Sequence, residues 1–441
     1  MQPPKGYTLE DGRNSLRMRR ALYGYKQAGR LWWKKFDDMV KGMGFKSIAS
    51  DPCIYIRTGD NGKHTYLLLY VDDILIADAS MDVIDEIKAA LKARWRMSDL
   101  GEAKWILGIS IVRTEQGAHL SQSAYIDSLV HRFPVGHSRP VLTPMDPSYR
   151  PMDPSSPPAN REVFQSLVGS LMWAGVGTRG DIAFHVGVLG RCNAQPTEAD
   201  MEAALRVVGY LRTTRELGIW VSKGMGSTVL EGWTDSDWAG DAVDRKSTTG
   251  YVFKLYGTPI SWASVKQPTT ALSTVHAEYV ALCEATRDAA WLLQLLDGLK
   301  VQQARPVPIH SDSTGALTLA QHPAFHRRSK HIDVQYHYVR EAQEKGWISV
   351  SKVSGSDNTA DILTKALART LHQRHVEGLG LLYSPRPHTP AIHPPIIDSP
   401  NPMSSGGRGQ GRAERGRGGA RGGRGGARGG RGGRGGSMGS A

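Results

Sequence analysis

Glu231-Gly232-Trp233-Thr234-Asp235-Ser236-Asp237-Trp238 reads as a short β-prone run that ends in acids. The spacing predicts a strand around 229–233 with Asp235 at its tip. Working outward, further strands are predicted at 250–255 and 259–263, followed by a long helix at 274–298. Then come a strand at 307–312, a helix, a charged helix around 331–345, a strand at 347–353 and a last helix from Asn358. This order predicts a mixed-sheet α/β layer domain over 227–380.

Three more acids stand at comparable places. Glu278 lies near the start of the long helix, in His276-Ala277-Glu278-Tyr279. Asp312 ends the strand Pro308-Ile309-His310-Ser311-Asp312, and Asp361 is expected to open the last helix. Strand ends and helix starts let side chains from distant segments converge on one open point. Four carboxylates gathered there repel one another unless cations lie between them. Two magnesium ions about 4 Å apart suit phosphodiester cleavage, with manganese as the alternative ion. For any single acid, a solvated residue at an element end is the commoner outcome.

Upstream, residues 15–129 alternate helical and strand periods. Helical spacing runs through Leu31, Trp32, Phe36, Met39 and Val40, and again over 82–95. Between them, TYLLLYVDDILI (65–76) is a β-like run broken only by Asp72 and Asp73. Adjacent acids are costly inside a buried strand and fit a hairpin turn, where both can meet a cation. A plain Asp-Asp turn is the simpler reading of the pair alone. Residues 138–160, rich in Pro and Ser, are predicted to link two units, and 161–226 to form a helical connection restarted at Pro196-Thr197-Glu198.

The net charge is +13 over 441 residues, and its distribution matters more than its sum. From Ser404 onward there are nine arginines and a single acid, Glu414. Residues 381–441 are Pro-rich, then Arg-Gly-rich, and are predicted to be disordered for want of apolar surface. Such a tail suits RNA phosphates and bases, with Arg421, Arg424 and Arg428 as representative contacts; a translated low-complexity repeat without a role is the competing reading. Only Cys53, Cys192 and Cys283 occur, without a C-x-x-C pair. That disfavours a disulfide framework or zinc site and suits the inside of a cell. No apolar run is long enough for a membrane span, and no secretory leader is read at the N-terminus.

Two sets of segments resemble the copia-type retrotransposon polyprotein. LYGYKQAGRLWW (22–33), GFKSIASDPCIYI (44–56), LLLYVDDILIA (67–77), MSDLGEAKWILGISI (97–111) and YIDSLVHRF (125–133) are similar to its reverse transcriptase. TDSDWAGDAVDRKSTTGYVF (234–253), PISWASVKQPTTALSTVHAEYVAL (259–282), HSDSTGALTLAQHPAFHRRSKHIDVQYHYVRE (310–341) and TADILTKAL (359–367) are similar to its ribonuclease H. The resemblance implies an α+β palm and thumb remnant at 1–137, then the ribonuclease H-like domain. It implies metal binding by Asp235, Glu278, Asp312 and Asp361, and by Asp72 and Asp73 at the polymerase site. It also implies that 105–108 support a primer strand.

Three departures qualify this. The family's earlier palm aspartate has no counterpart, and MQPPKGY resembles a segment that follows it. Met1 is therefore expected to be an internal methionine of a longer ancestor, and the polymerase site to be incomplete unless another chain supplies the missing part. His276 stands where the family has glutamate, and no histidine occurs in the loop before Asp361. The implied partner is an RNA–DNA hybrid, held by phosphate contacts from Arg327, Arg328 and Lys330, with Lys246 and Lys266 as further basic groups. Asp237 is a candidate neighbour of the metal ligands, and Trp238 and Trp262 are expected in the core. Two rival readings are an inactive relic and a non-catalytic RNA-binding protein acting through its tail.

Overall fold

The described residues form three sheets and ten α-helices. A computed structural model describes residues 21–22, 24–136, 139–223, 229–321 and 333–383. The chain divides into two units, Met1–Ala391 and Ile392–Ala441, and every described residue lies in the first. Arg327, Arg328, Lys330, Arg421, Arg424 and Arg428 lie outside the described residues.

Helix α1 (Ala28–Gly42) leads into strands β1 (Lys46–Ser47), β2 (Ile54–Thr58), β3 (His64–Tyr70) and β4 (Asp73–Ala77), then helix α2 (Met81–Arg94). The four strands form an antiparallel sheet in sequence order. In β3 the side chains alternate, and Thr65, Leu67 and Leu69 are buried. Phe36 and Val40 of α1, and Ile87 and Leu91 of α2, recur at a spacing of four and cover that face. From the other face, Tyr66 donates its hydroxyl to the main-chain oxygen of Leu299, 3.0 Å away.

Strands β5 (Trp105–Ile106) and β6 (Ile109–Thr114) close over Leu107 and Gly108, whose φ values are 50° and 76°. Two successive positive φ angles make the tight turn whose twist matches a β-hairpin. Strand β7 (Gly117–Ser121) and helix α3 (Ser123–Arg132) follow. Residues 139–160, expected as a linker, pack onto the helices instead. Val141 donates its N–H to Thr213, Met145 is buried, and the Tyr149 hydroxyl and Met152 N–H both reach Asp200.

Helices α4 (Arg161–Gly177), α5 (Ala183–Arg191) and α6 (Glu198–Thr213) form the connection. Asn160 caps α4, and Thr197 with Asp200 makes a reciprocal capping box at the α6 restart. The connection is not wholly helical, because it ends in strand β8 (Leu217–Ser222). That strand joins β7, and its other edge takes β14 (Leu381–Tyr383), giving the antiparallel order β14-β8-β7-β6-β5. Gly218 permits this join, since a Cβ there would sit 2.3 Å from the Leu120 main-chain oxygen.

The third sheet contains β9 (Leu230–Ser236), β10 (Thr248–Leu255), β11 (Thr258–Lys266), β12 (Val307–Ser311) and β13 (Ile348–Lys352). Its order is β11-β10-β9-β12-β13, with β9, β10 and β11 antiparallel and β12 and β13 parallel to β9. Helix α7 (Thr274–Gly298) covers one face with Tyr279, Leu282, Ala289 and Leu293, alongside α8 (Thr314–Gln321) and α9 (Asp333–Glu344). On the other face, Ile362 and Leu363 pack with Val252, Trp233 and the strand residues Leu217, Ile219 and Leu381.

Asp361 does not open the last α-helix. It sits in a short 3-10 helix, Thr359–Leu363, and α10 (Arg369–Gly378) begins only afterwards. Asn358 caps the short helix through the Ala360 N–H, and its amide also donates to the Thr234 main-chain oxygen at 3.0 Å. The turn is thereby fixed to β9 before a longer helix can form.

Candidate metal centre

Asp235 is the second-last residue of the central strand β9 and only 2% exposed. Gly250 of β10 lies directly opposite it. A Cβ on Gly250 would stand 2.7–3.1 Å from Thr364, Leu363 and the Ala360 main-chain oxygen, so only glycine lets the Asp361 turn descend onto the strand pair. Asp312 follows the end of the adjacent parallel strand β12. Carboxylate oxygens of Asp235, Asp312 and Asp361 all lie within 4.8 Å of one another.

Glu278 approaches from the first turns of α7. It is not within that three-acid group, yet its Oε2 is buried without a hydrogen-bond partner. Burial, then the charges of Asp235 and Asp312, push its pKa far above the ordinary glutamate range. Burial and the Asp235 charge also raise Asp361. Three hard carboxylate donors, with a buried, unpartnered oxygen on Glu278, which feels the charges of Asp235 and Asp312, fit a divalent cation such as magnesium.

His276 is answered by local structure. Ser273 caps α7 by accepting the His276 N–H, and His276 Nδ1 accepts the Leu272 N–H at 3.2 Å. A glutamate three residues after a serine cap also reaches back to the chain before the helix, there to the cap's own N–H. The position therefore serves the helix start, and Glu278 is the acid turned to the other carboxylates.

Three groups that the sequence reading did not single out hold the site together. Thr364 donates its hydroxyl to Asp235 Oδ2. Lys365 places Nζ 3.0 Å from Asp361 Oδ1 and 3.6 Å from Asp235 Oδ2. Burial opposes its charge, and the two aspartates outweigh that, so its pKa stands above the ordinary lysine value. Gln267 is buried, with its amide nitrogen within 3.2 Å of the Ser236 and Thr249 hydroxyls and the Ala277 main-chain oxygen, tying β9, β10 and α7. Only an Asn-to-Asp helix-start pattern at 358–361 hinted at this scaffold.

Other candidates fall outside the cluster. Asp237 accepts the Thr248 N–H, and burial lifts its pKa to about 6. Lys266 is engaged by Asp241 at 2.6 Å and Asp244 at 2.9 Å, and Lys246 lies 3.8 Å from Asp244. Trp238, expected in the core, is 51% exposed, because only its ring nitrogen is held, by the Ala271 oxygen. Trp262 is half-buried, donating to the Gly175 oxygen.

Asp72 and Asp73 stand together at the β3–β4 hairpin, both exposed. Val71 at the turn has φ 56°, rare for a β-branched residue, and Trp32 Nε1 holds its carbonyl at 2.5 Å. Among the described residues no third carboxylate or histidine joins the pair within metal-binding reach.

The antiparallel three-strand run continued by two parallel strands, with acids at the tip of the central strand, is the mixed α/β layer expected over 227–380. A family model described as reverse transcriptase (RNA-dependent DNA polymerase) matches residues 1–147. The chain is 37% identical to the retrovirus-related Pol polyprotein from transposon TNT 1-94 of Nicotiana tabacum, over 86% of this chain and 29% of that one. It is 30% identical to a putative transposon Ty5-1 protein of Saccharomyces cerevisiae, over 60% of this chain and 87% of the relative. Among solved structures it is similar to LC11-RNase H1 isolated from compost, over 31% of this chain and 94% of that one, at 18% identity and TM-score 0.26. The chain belongs to the copia-type retrotransposon Pol family, and it spans 22–29% of the length of the curated Pol polyproteins it is compared with. No helix among the described residues is long and apolar enough to cross a membrane.

Proposed function

We propose that the chain cleaves the RNA strand of RNA–DNA hybrids with two magnesium ions held by Asp235, Glu278, Asp312 and Asp361. The observation that carries this reading is the meeting of three carboxylates within 4.8 Å, with the orphaned Glu278 Oε2 beside them. Family membership supports the nucleic-acid partner and the metal dependence.

Bound cations would supply an activated water and stabilise the leaving oxygen of the phosphodiester. The chain's own residues do the rest. Asp235, fixed by Thr364, and Asp361, fixed by Asn358, present rigid oxygens. Glu278 adds a carboxylate whose burial keeps bulk water from its inner oxygen. Manganese is expected to substitute for magnesium.

The test offers the purified full chain three labelled 20-mer duplexes in magnesium: RNA–DNA, RNA–RNA and DNA–DNA. Cuts are expected within the RNA of the hybrid alone. Equal cutting of all three would contradict the assignment.

A further inference from the structure

Bare carboxylates at the distances seen around Asp235 would drive one another apart, so a metal-free site needs a cation of its own. Among the described residues that cation is Lys365, with Nζ 3.0 Å from Asp361 and 3.6 Å from Asp235. Lys352 donates to the main-chain oxygen of Asp312 and, among the described residues, makes no ion pair with the acids of the site. The backbone at Lys365 is anchored, because the adjacent Thr364 bonds both Asp235 and the Asp361 oxygen. Its side chain is nevertheless 45% exposed. A lysine stem of four carbons can therefore swing outward without moving the turn.

We propose that Lys365 is a resident counter-ion of this site: it binds Asp235 and Asp361 together when metal is absent, withdraws when divalent cations enter, and so sets their affinity. This rests on the reading of the four acids as a metal centre. A single positive charge spanning two ligands competes directly with an incoming ion. Removing it leaves the same oxygens with more negative potential and no competitor. It also leaves the metal-free site without compensation for like charges in contact. The lysine thus trades tight metal binding for a site that stays folded between metal loadings.

Calorimetric titration of magnesium into the chelator-treated full chain tests this, with thermal unfolding followed in parallel. Lys365→Met is expected to tighten magnesium binding roughly tenfold, by the size of a lost unit charge at this range. It should also lower the metal-free Tm while leaving the magnesium-saturated Tm near the wild-type value. Lys365→Arg, which keeps the charge, should bind magnesium as the wild type does. Unchanged or weaker binding by Lys365→Met would overturn the proposal, as would an equal Tm loss with and without magnesium. Failure of both Lys365→Met and Lys365→Gln to fold in saturating magnesium would assign the residue to structure alone and overturn it too. Asp312→Asn separates the two claims. If it binds magnesium like the wild type, the metal-centre reading fails; if it loses binding while Lys365→Met changes nothing, only the counter-ion role fails.

Discussion

Burial and the charges of Asp235 and Asp312 hold Glu278 protonated far above its usual range in the metal-free protein. The unfolded chain gives up this proton near pH ~4.3, while the folded chain keeps it to much higher pH. Metal-free stability therefore falls as pH climbs above that range, and returns on acidification. Glu278→Gln removes the penalty. In chelator at pH 8 its Tm should exceed the wild type's by ~2–4 °C, and the difference should vanish at pH 4. Differential scanning calorimetry decides it; a gain of equal size at both pH values would show a packing effect instead. At this scale the places of Asp235 and Asp312 at strand ends were legible, whereas Asp361, expected to open an α-helix, sits in a 3-10 turn. Lys365, Gly250 and the second role of Asn358 were not legible, because each acts through a partner brought near by the fold. The Asn358 amide and the Thr234 oxygen, for example, are separated by 124 residues.

Among elements, a buried ionic network inside the helical connection reaches the mixed α/β layer through α10. Arg179 and Asp181 pair bidentately at 3.0 and 2.7 Å with no side-chain exposure. Asp181 also accepts the Tyr210 hydroxyl at 2.7 Å, and Arg179 donates to the Thr214 hydroxyl and main-chain oxygen. His372 of α10 completes the chain 3.1 Å from Tyr210. Removing one charge strands the other in a dry site, at a cost of about 3–5 kcal/mol. Arg179→Met should lose stability of that order in urea unfolding, and restoring balance with Arg179→Met plus Asp181→Leu should recover much of it. A loss under about 1 kcal/mol for the single variant would show that water reaches the pair. The long helices and central strands of this region were legible from periodicity. Strands β8 and β14 were not: each is short, and their partners lie in segments far away in sequence. The Pro- and Ser-rich stretch at 139–160 misled for a related reason. Its few anchors, Met145 and Tyr149, find their pockets only on the assembled helices.

For the whole molecule, two carboxylate sites sit on different sheets and differ in kind. The pair at Asp72 and Asp73 is open to solvent, with a strained Val71 turn but no third ligand among the described residues. The purified chain is therefore expected to show no magnesium-dependent primer extension; extension lost on Asp72→Asn would contradict this. Fold class was legible along most of 1–380 because family segments recur there in order, whereas the tail's composition spoke to charge, disorder and RNA contact rather than to fold. Among the described residues, the cluster around Asp235 gathers acids from three segments of the chain, and Glu278 feels the charges of two of them. The most direct test of its role is cleavage of an RNA–DNA hybrid in magnesium by the wild type and by Asp312→Asn, both checked for folding by circular dichroism. Wild-type cutting of the RNA strand, reduced at least ~100-fold by the substitution, is the predicted result. No cutting by the folded wild type, or equal cutting by both, would contradict it.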